Sequence, residues 1–223
     1  MSVPIFLLPA TFIDSDAANV AAYAYETTLG IEDDVDRIIA LYRRIRDDIP
    51  YTPYLDYNDP HVFKASWALE EGIGFCISKA ALLAACARAL GIPARLGFAD
   101  VRNHMTSARL RQFVGGDVMR WHAFAELFLK RKWVKATPAF NIGLCEKFGI
   151  KPLEFNGTED SIFHPFTQDG QQHMEYIRER GSFSDVPLDH IMTCFRAECP
   201  QIFNSAFVQG DFAAEGAAEA KAS

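Results

Sequence analysis

The sequence lacks the features that mark membrane-spanning, nucleic-acid-binding and disulfide-stapled proteins. No apolar run approaches the ~18–20 residues that a transmembrane helix needs. The 22 Lys and Arg residues are outnumbered by 29 Asp and Glu residues, and the resulting net charge of −7 argues against a general nucleic-acid binder. Five cysteines, an odd number without framework spacing, favour a reducing compartment. We therefore predict a cytoplasmic protein that binds neither nucleic acid nor membrane.

Targeting, metal and cofactor motifs are scarce as well. The apolar N-terminus has no basic residue ahead of it, so we expect no signal peptide. Cys194 and Cys199, with His190 nearby, have no second pair of ligands, whereas a structural zinc site usually takes four. We predict neither a metal nor a cofactor.

The composition is that of a folded domain. Hydrophobic residues make up 49% of the 223 positions, enough for a sizeable core. We predict a single domain over residues 1–210, with a core at about 31–141 and a C-terminal elaboration at 142–210. The Ala- and Glu-rich tail, 211–223, is predicted to be disordered.

The centre of the chain carries the clearest secondary-structure patterns. Apolar spacing after an acidic first turn predicts a helix over 35–45. A second helix is predicted from Cys76 to Leu90, since Gly91 and Pro93 follow in the order that ends helices. Strands are predicted at 94–99, 121–129 and 133–138. A helix followed by antiparallel strands indicates an α+β fold.

The ends of the chain carry weaker signals. Residues 3–8 favour a strand, and residues 171–180 favour a helix. The stretch 151–209 either decorates the core or forms a lid over it, and the sequence leaves that choice open.

Cys76 is the cysteine placed to act as a nucleophile. A thiol attacks as its thiolate, and a helix N-terminus or a neighbouring imidazolium lowers a thiol pKa from its usual ~8.5. Cys76 begins a predicted helix directly after Gly72-Ile73-Gly74-Phe75, whose backbone N–H groups are expected to form an oxyanion hole. Cys86, by contrast, lies in the middle of that helix among apolar residues and is expected to be structural.

Among the six histidines, His122 is the candidate base because it lies near the start of a predicted strand, beside Trp121. Other groups could line the same cleft. These are Asp100 and His104 after the preceding strand, and Trp67 with the tyrosines of the loop before it.

Four segments together resemble the bacterial transglutaminase-like superfamily. They are Gly74-Phe75-Cys76, the helix exit Arg88-Ala89-Leu90-Gly91-Ile92-Pro93-Ala94-Arg95, the stretch from Trp121 to Leu127 with its His-Ala pair, and Lys132 to Pro138 with its Trp-Val pair. The resemblance spans residues 67–138. It implies a papain/transglutaminase-like core with the nucleophile helix packed on an antiparallel sheet, Cys76 as nucleophile, His122 as base, and a third residue that orients the imidazole.

The sequence departs from the family pattern at that third residue. The family has an aspartate just before the proline, and this chain has Thr137. A threonine hydroxyl can accept the imidazole N–H, and papain-like enzymes use a neutral asparagine in this role. We predict that Thr137 orients His122. Asn141 is a second candidate, and Glu126 is a third that more readily pairs with a basic side chain.

The resemblance implies a cysteine peptidase or amidase that cleaves or transfers an amide acyl group through a thioester, hydrolytic rather than crosslinking. Its substrate would be a peptide, a protein or a small amide. The alternative is a catalytically degenerate member that binds a peptide or protein without turnover, which the missing aspartate favours. Arylamine acetyl transfer fits less well, because the Arg-Gly-Gly-x-Cys lead of that family is missing. Substrate, acceptor and oligomeric state are not determined by the sequence.

Overall fold

The computed structural model describes residues 3–104, 107–162 and 174–219, and it confirms the predicted α+β class. In this part of the chain, helices surround an antiparallel sheet. The α-helices are α1 Ala18–Thr27, α2 Asp34–Asp48, α3 Ala65–Glu71, α4 Cys76–Ala89, α5 Ala108–Val114, α6 Ile142–Lys147, α7 Leu188–Glu198 and α8 Phe212–Glu219. The strands are β1 Ala94–Asn103, β2 Val118–Leu129, β3 Lys132–Ala136 and β4 Met174–Phe183. Short 3-10 helices cover Val3–Phe6, Pro60–Phe63, Pro200–Phe203 and Ser205–Phe207.

The sheet has the strand order β3-β2-β1-β4, with every neighbouring pair antiparallel. The two central strands, β1 and β2, pair in register from Ala94 opposite Leu127 to Ala99 opposite His122. Alternate residues of β2 are small or aliphatic and fully buried, among them Ala123 and Ala125. These short side chains let a helix lie close to the sheet.

Helix α4 is that helix. It packs on β1 and β2 on one side and on α1, α2 and α3 on the others. Its residues from Ile77 to Arg88 are all buried, as expected of a helix that is apolar around its whole circumference. Because α4 is enclosed on all sides, its first residue, Cys76, is held in a fixed place at one end of the sheet.

Two buried basic side chains hydrogen-bond the two ends of α4 to the rest of the fold. Lys79 Nζ donates to the carbonyl oxygen of Arg46 at 2.9 Å and to that of Ile49, near the end of α2. Arg88 donates to the carbonyl oxygens of Ala94, Leu8 and Ser184 at 3.0, 2.7 and 2.6 Å. Since a buried carbonyl without a donor is costly, these bonds fix where α4 begins and ends.

Three predictions at the ends of the chain differ from the structure. Residues 174–180 of the segment 171–180, which the sequence predicts as a helix, belong to β4, because pairing with the free edge of β1 outweighs the helix preference of Glu and Arg. Residues 3–6 form a 3-10 helix instead of a strand. The predicted disordered tail forms α8 at residues 212–219, where burial of Phe212 anchors an Ala-rich segment that favours helix. Residues 171–173 and 220–223 lie outside the described residues.

Among the helices of the described residues, none is both long and apolar enough to cross a membrane.

Candidate active site

Cys76 is the first residue of α4, at an N-terminus that carries no side-chain cap. The preceding residue, Phe75, has an extended backbone and a side chain that cannot accept a hydrogen bond. The first N–H groups of the helix therefore keep their partial positive charge for a ligand. The N–H groups of Cys76 and Ile77 act on the Cys76 sulfur and favour its anion.

The glycine-rich lead does not supply the oxyanion hole that the sequence suggested. The N–H of Gly74 donates to the carbonyl oxygen of Pro50 at 3.1 Å, and that of Phe75 donates to Ser78 Oγ at 3.1 Å. Gly74 is needed for packing, because a Cβ there would lie 2.9 Å from Lys79 Cγ. Through these two hydrogen bonds, Gly74 and Phe75 connect the segment just after α2 to the first turn of α4.

His122 shares one cleft with Cys76. It lies on β2 with its ring buried, and the small residue Ala99 is its cross-strand neighbour. The backbone N–H of Ala123, the next residue along β2, acts on the Cys76 sulfur. Helix α4 and strand β2 therefore bring the predicted nucleophile and the predicted base together.

A strained turn of backbone precedes His122. Strand β2 has two residues, Arg120 and Trp121, opposite the single residue Asp100 of β1, which is a β-bulge. Trp121 has a φ of 56°, in the left-handed region that a bulky residue rarely adopts. Its N–H donates to Asp100 Oδ1 at 3.1 Å, which holds this conformation.

A buried ion pair supports the bulge. Arg180 of β4 donates to both carboxylate oxygens of Asp100 at 2.9 and 2.7 Å. The guanidinium carbon of Arg180 also lies 5.1 Å from the centroid of the Trp121 ring. Asp100 therefore acts on the backbone in front of His122. His104, named with it from the sequence, pairs instead with Glu175 at 3.3 Å.

The electrostatics of the cleft favour neutral groups. Burial raises the pKa of Cys76 to about 11, even though three N–H groups oppose it, and burial lowers the pKa of His122 to about 4. The sequence predicts that the helix tip and the imidazole hold a resting thiolate. Desolvation outweighs the helix tip, so at neutral pH each group taken singly is uncharged.

The hydrogen bond that the structure gives to the Thr137 hydroxyl goes to a residue other than His122. This hydroxyl donates to the carbonyl oxygen of Ile162 at 2.9 Å. Within residues 3–104, 107–162 and 174–219, no hydrogen bond joins the His122 ring to another group. The Thr137 oxygen still has lone pairs that could accept an imidazole N–H, and its role as the orienting residue stays a prediction.

The two other candidates for that role have different partners. Asn141 Oδ1 accepts from the N–H of Tyr51 at 3.3 Å and so positions a wall of the cleft. Glu126 pairs with Arg95 and accepts from Ser182 Oγ at 2.9 Å, which confirms the expected pairing with a basic side chain.

The walls of the cleft are largely apolar and aromatic. Residues that the sequence did not single out line it together with Cys76 and His122: Asn103, Phe113, Phe140, Phe195, Ile202 and Phe212. Tyr51 and Tyr57 of the preceding loop also line it, as suggested, and Trp67 is outside the lining. No spacing rule linked Phe195, Ile202 or Phe212 to Cys76, because they come from distant parts of the chain. Part of the stretch 151–209 thus does reach the cleft.

None of the other four cysteines is the first residue of an α-helix. Cys199 also lines the cleft, but it follows the C-terminus of α7. Cys86 is fully buried in the middle of α4, and burial raises its pKa well above the usual value. Cys194 lies near Arg180 and Glu198, outside the cleft lining. In the described ranges no group of three or more His, Cys, Asp or Glu side chains is arranged to hold a metal ion.

Comparison with known proteins places this arrangement in a family. The family model of the transglutaminase-like superfamily matches residues 21–138, just over half of the chain. The chain belongs to the transglutaminase-like superfamily. The matched range contains α4 with Cys76 and the β1–β3 sheet with His122, so the resemblance seen in the sequence is confirmed.

A solved structure supports the fold of this transglutaminase-like protein. The structure, from Cytophaga hutchinsonii and described as "a Putative Cysteine Protease", matches 82% of the chain with a TM-score of 0.53 at 18% identity. The chain spans 47% of that protein's length. A second, from Parabacteroides distasonis and described as "a Putative Protease", matches 52% of the chain and 22% of its own at 13% identity, with a TM-score of 0.38. None of the curated proteins compared with the chain matches it.

Proposed function

We propose that this transglutaminase-like protein is a cysteine enzyme that cleaves, or transfers, the acyl group of an amide through a thioester on Cys76. The proposal is carried by one observation. Cys76, at an uncapped helix N-terminus, and His122, on the facing strand, line the same buried cleft. The substrate is a peptide, a protein or a small amide, and water is the default acceptor.

The neutral resting pair suggests how the first step proceeds. The Cys76 thiol gives its proton to His122 as its sulfur attacks the amide carbonyl, so charge separates only as the bond forms. The N–H groups that act on the sulfur, those of Cys76, Ile77 and Ala123, lie where an adjacent oxyanion would gain from them.

The following steps return both groups to their starting state. The imidazolium protonates the departing amine as the C–N bond breaks, which leaves the thioester and a neutral His122. His122 then takes a proton from water as the water oxygen attacks the thioester. The carboxylic acid leaves, and Cys76 recovers its proton from the imidazolium.

The test combines turnover with labelling. A panel of peptide p-nitroanilides is offered to the protein and to its Cys76→Ala and His122→Gln variants, with Cys194→Ala as the matched control outside the cleft. We expect a loss of turnover of at least about a thousandfold in the two cleft variants and none in the control. Iodoacetamide labelling of Cys76 should fall by about tenfold in His122→Gln, because the base is removed. Turnover that survives Cys76→Ala would reject the proposal.

A second candidate, binding of a peptide without turnover, has one observation in its favour. Among the described residues nothing hydrogen-bonds the His122 ring, and the Thr137 hydroxyl is already donated to Ile162. Thr137→Val separates the candidates because it removes the hydroxyl at nearly constant volume. If Thr137 orients His122, turnover falls by about tenfold or more. If the protein only binds, neither the unmodified sequence nor any variant cleaves a p-nitroanilide, and the Cys76→Ala variant keeps the original affinity for the peptide.

A further inference from the structure

The cleft beside Cys76 is lined in part by the protein's own helix α8. Phe212, the first residue of α8, lines the cleft and is 4% exposed. Its ring centroid lies 5.7 Å from that of Tyr51 and 6.5 Å from that of Phe140, two other residues of the lining. The free space left in the cleft is about 70 Å³, whereas pockets that hold a small-molecule ligand span about 300–1,000 Å³.

Among the described residues, the carboxylate of Glu215 makes the polar contacts that hold helix α8 next to the cleft. Glu215 Oε2 accepts from Tyr54 Oη at 2.7 Å and from Ser107 Oγ at 2.8 Å, and Glu215 Oε1 lies 3.4 Å from Arg109 Nε. Gly210 lets the segment pass against the Tyr54 ring, since a Cβ there would lie 2.4 Å from Tyr54 Cδ2. Besides these polar contacts, the Phe212 ring centroid lies 5.0 Å from that of Phe148. Helix α8 has only eight residues, and short elements of this kind can open without global unfolding.

We infer that the wall contacted by Phe212 is the subsite for a large apolar, preferably aromatic, group of the amide substrate, and that Phe212 occupies it in the free protein. The inference rests on the proposed function for the identity of the ligand as an amide. Its basis is shape and chemistry: a benzyl side chain already fits there, among aromatic rings, in the cleft that holds Cys76. A substrate side chain of the same kind would take its place once α8 moves aside.

Two substitutions test the subsite and the covering helix separately, with the rate of iodoacetamide labelling at Cys76 as the measurement. Phe212→Ala empties the subsite, and Glu215→Gln leaves Phe212 in place while weakening the tie of α8. Both variants should raise the rate of iodoacetamide labelling at Cys76, by about tenfold for Phe212→Ala. Phe203→Ala is the matched control, because Phe203 is an aromatic residue of the same C-terminal region outside the cleft lining. Its labelling rate should stay at that of the unmodified sequence.

The chemical class of the ligand is tested by protection. N-acetyl-phenylalanine amide and N-acetyl-serine amide, which share a backbone, are compared for their ability to slow labelling of Cys76 in Phe212→Ala. The phenylalanine amide should protect at a concentration lower by about tenfold or more, because only its side chain fills the apolar subsite. Equal protection by the two amides, or unchanged labelling in both Phe212→Ala and Glu215→Gln, would overturn the inference.

A second measurement on the same samples distinguishes this inference from the proposed function. Amine release is measured beside protection. Selective protection by the phenylalanine amide without amine release from any amide would support the subsite and reject the acyl-transfer activity. Amine release without side-chain preference would support the activity and reject the subsite.

Discussion

Trp121, which directly precedes the proposed base His122, has an unfavourable backbone conformation. A left-handed backbone at a tryptophan is unfavourable by an amount on the order of 1–3 kcal/mol, and here it persists because Asp100 accepts the Trp121 N–H and is itself held by Arg180. Strain of this kind tends to collect at functional sites. Since His122 follows directly, the direction of its ring depends on the bulge.

Asp100→Asn should therefore affect the reactivity of Cys76, although Asp100 is not one of the residues that line the cleft. We expect iodoacetamide labelling of Cys76 to slow by about tenfold, and its pH profile to shift toward that of His122→Gln, because the imidazole is no longer aimed. Glu126→Gln is the matched control, since Glu126 is another buried, arginine-paired carboxylate of the same sheet. A loss of stability in both variants with an unchanged pH profile in both would show that Asp100 is only structural.

At the scale of elements, the packing of Gly74 between the segment after α2 and the start of α4 sets the position of Cys76. Gly74 forms a bridge with Tyr51, a wall residue of the cleft, and packs against the stem of Lys79, whose ammonium group is fixed by two carbonyl oxygens. Because Lys79 is fully buried and held at its far end, its stem has little room to move.

Gly74→Ala should accordingly lower the free energy of unfolding by about 1–3 kcal/mol, the usual cost of overpacking a tight site. Gly143→Ala is the control, because a Cβ at that helical position meets nothing closer than 3.7 Å and alanine favours helix. Urea unfolding of the two variants measures the difference. Equal stability of Gly74→Ala and the unmodified sequence would mean that the segment 72–75 can shift to accept a methyl group and does not fix the position of α4.

The elements that the sequence predicted well are those whose pattern is local. Helix α4 begins at Cys76 as predicted because its apolar run is bounded by glycines and a proline, and β1, β2 and β3 follow at nearly the predicted positions. The strand β4 was missed since its partner, the edge of β1, lies some 80 residues away. The bulge at Trp121 was missed for the same reason: Asp100 and Arg180 create it, and nothing in the adjacent residues signals a positive φ.

For the molecule as a whole, the buried histidine links stability to acidity. The pKa of His122 is about 4 in the folded protein and about 6.5 in an unfolded chain. Because the folded protein holds the ring neutral, His122 contributes fully to the free energy of unfolding above pH 6.5. This contribution is lost as the pH falls from about 6.5 to 4. The contribution amounts to roughly 3 kcal/mol.

His122→Gln should then be less sensitive to acid than the unmodified sequence. Urea unfolding at pH 7 and pH 4 would show a smaller drop in the free energy of unfolding for the variant, by up to roughly 3 kcal/mol. His61→Gln is the control, because the pair of His61 with Asp59 is exposed and contributes little to stability, and it should keep nearly all of the original acid sensitivity. The idea fails if His122→Gln and His61→Gln lose the same stability on acidification.

The separation of the site along the chain has a consequence for biosynthesis. Cys76 opens a helix that can form early, whereas His122 and the Ala123 N–H reach the sulfur only after β2 has docked beside β1. A nascent chain that has just emerged from the ribosome therefore holds an ordinary thiol with no base at hand. Any dependence of Cys76 on His122 can therefore arise only once the sheet is complete, so histidine-dependent alkylation of Cys76 is expected to mark the mature fold.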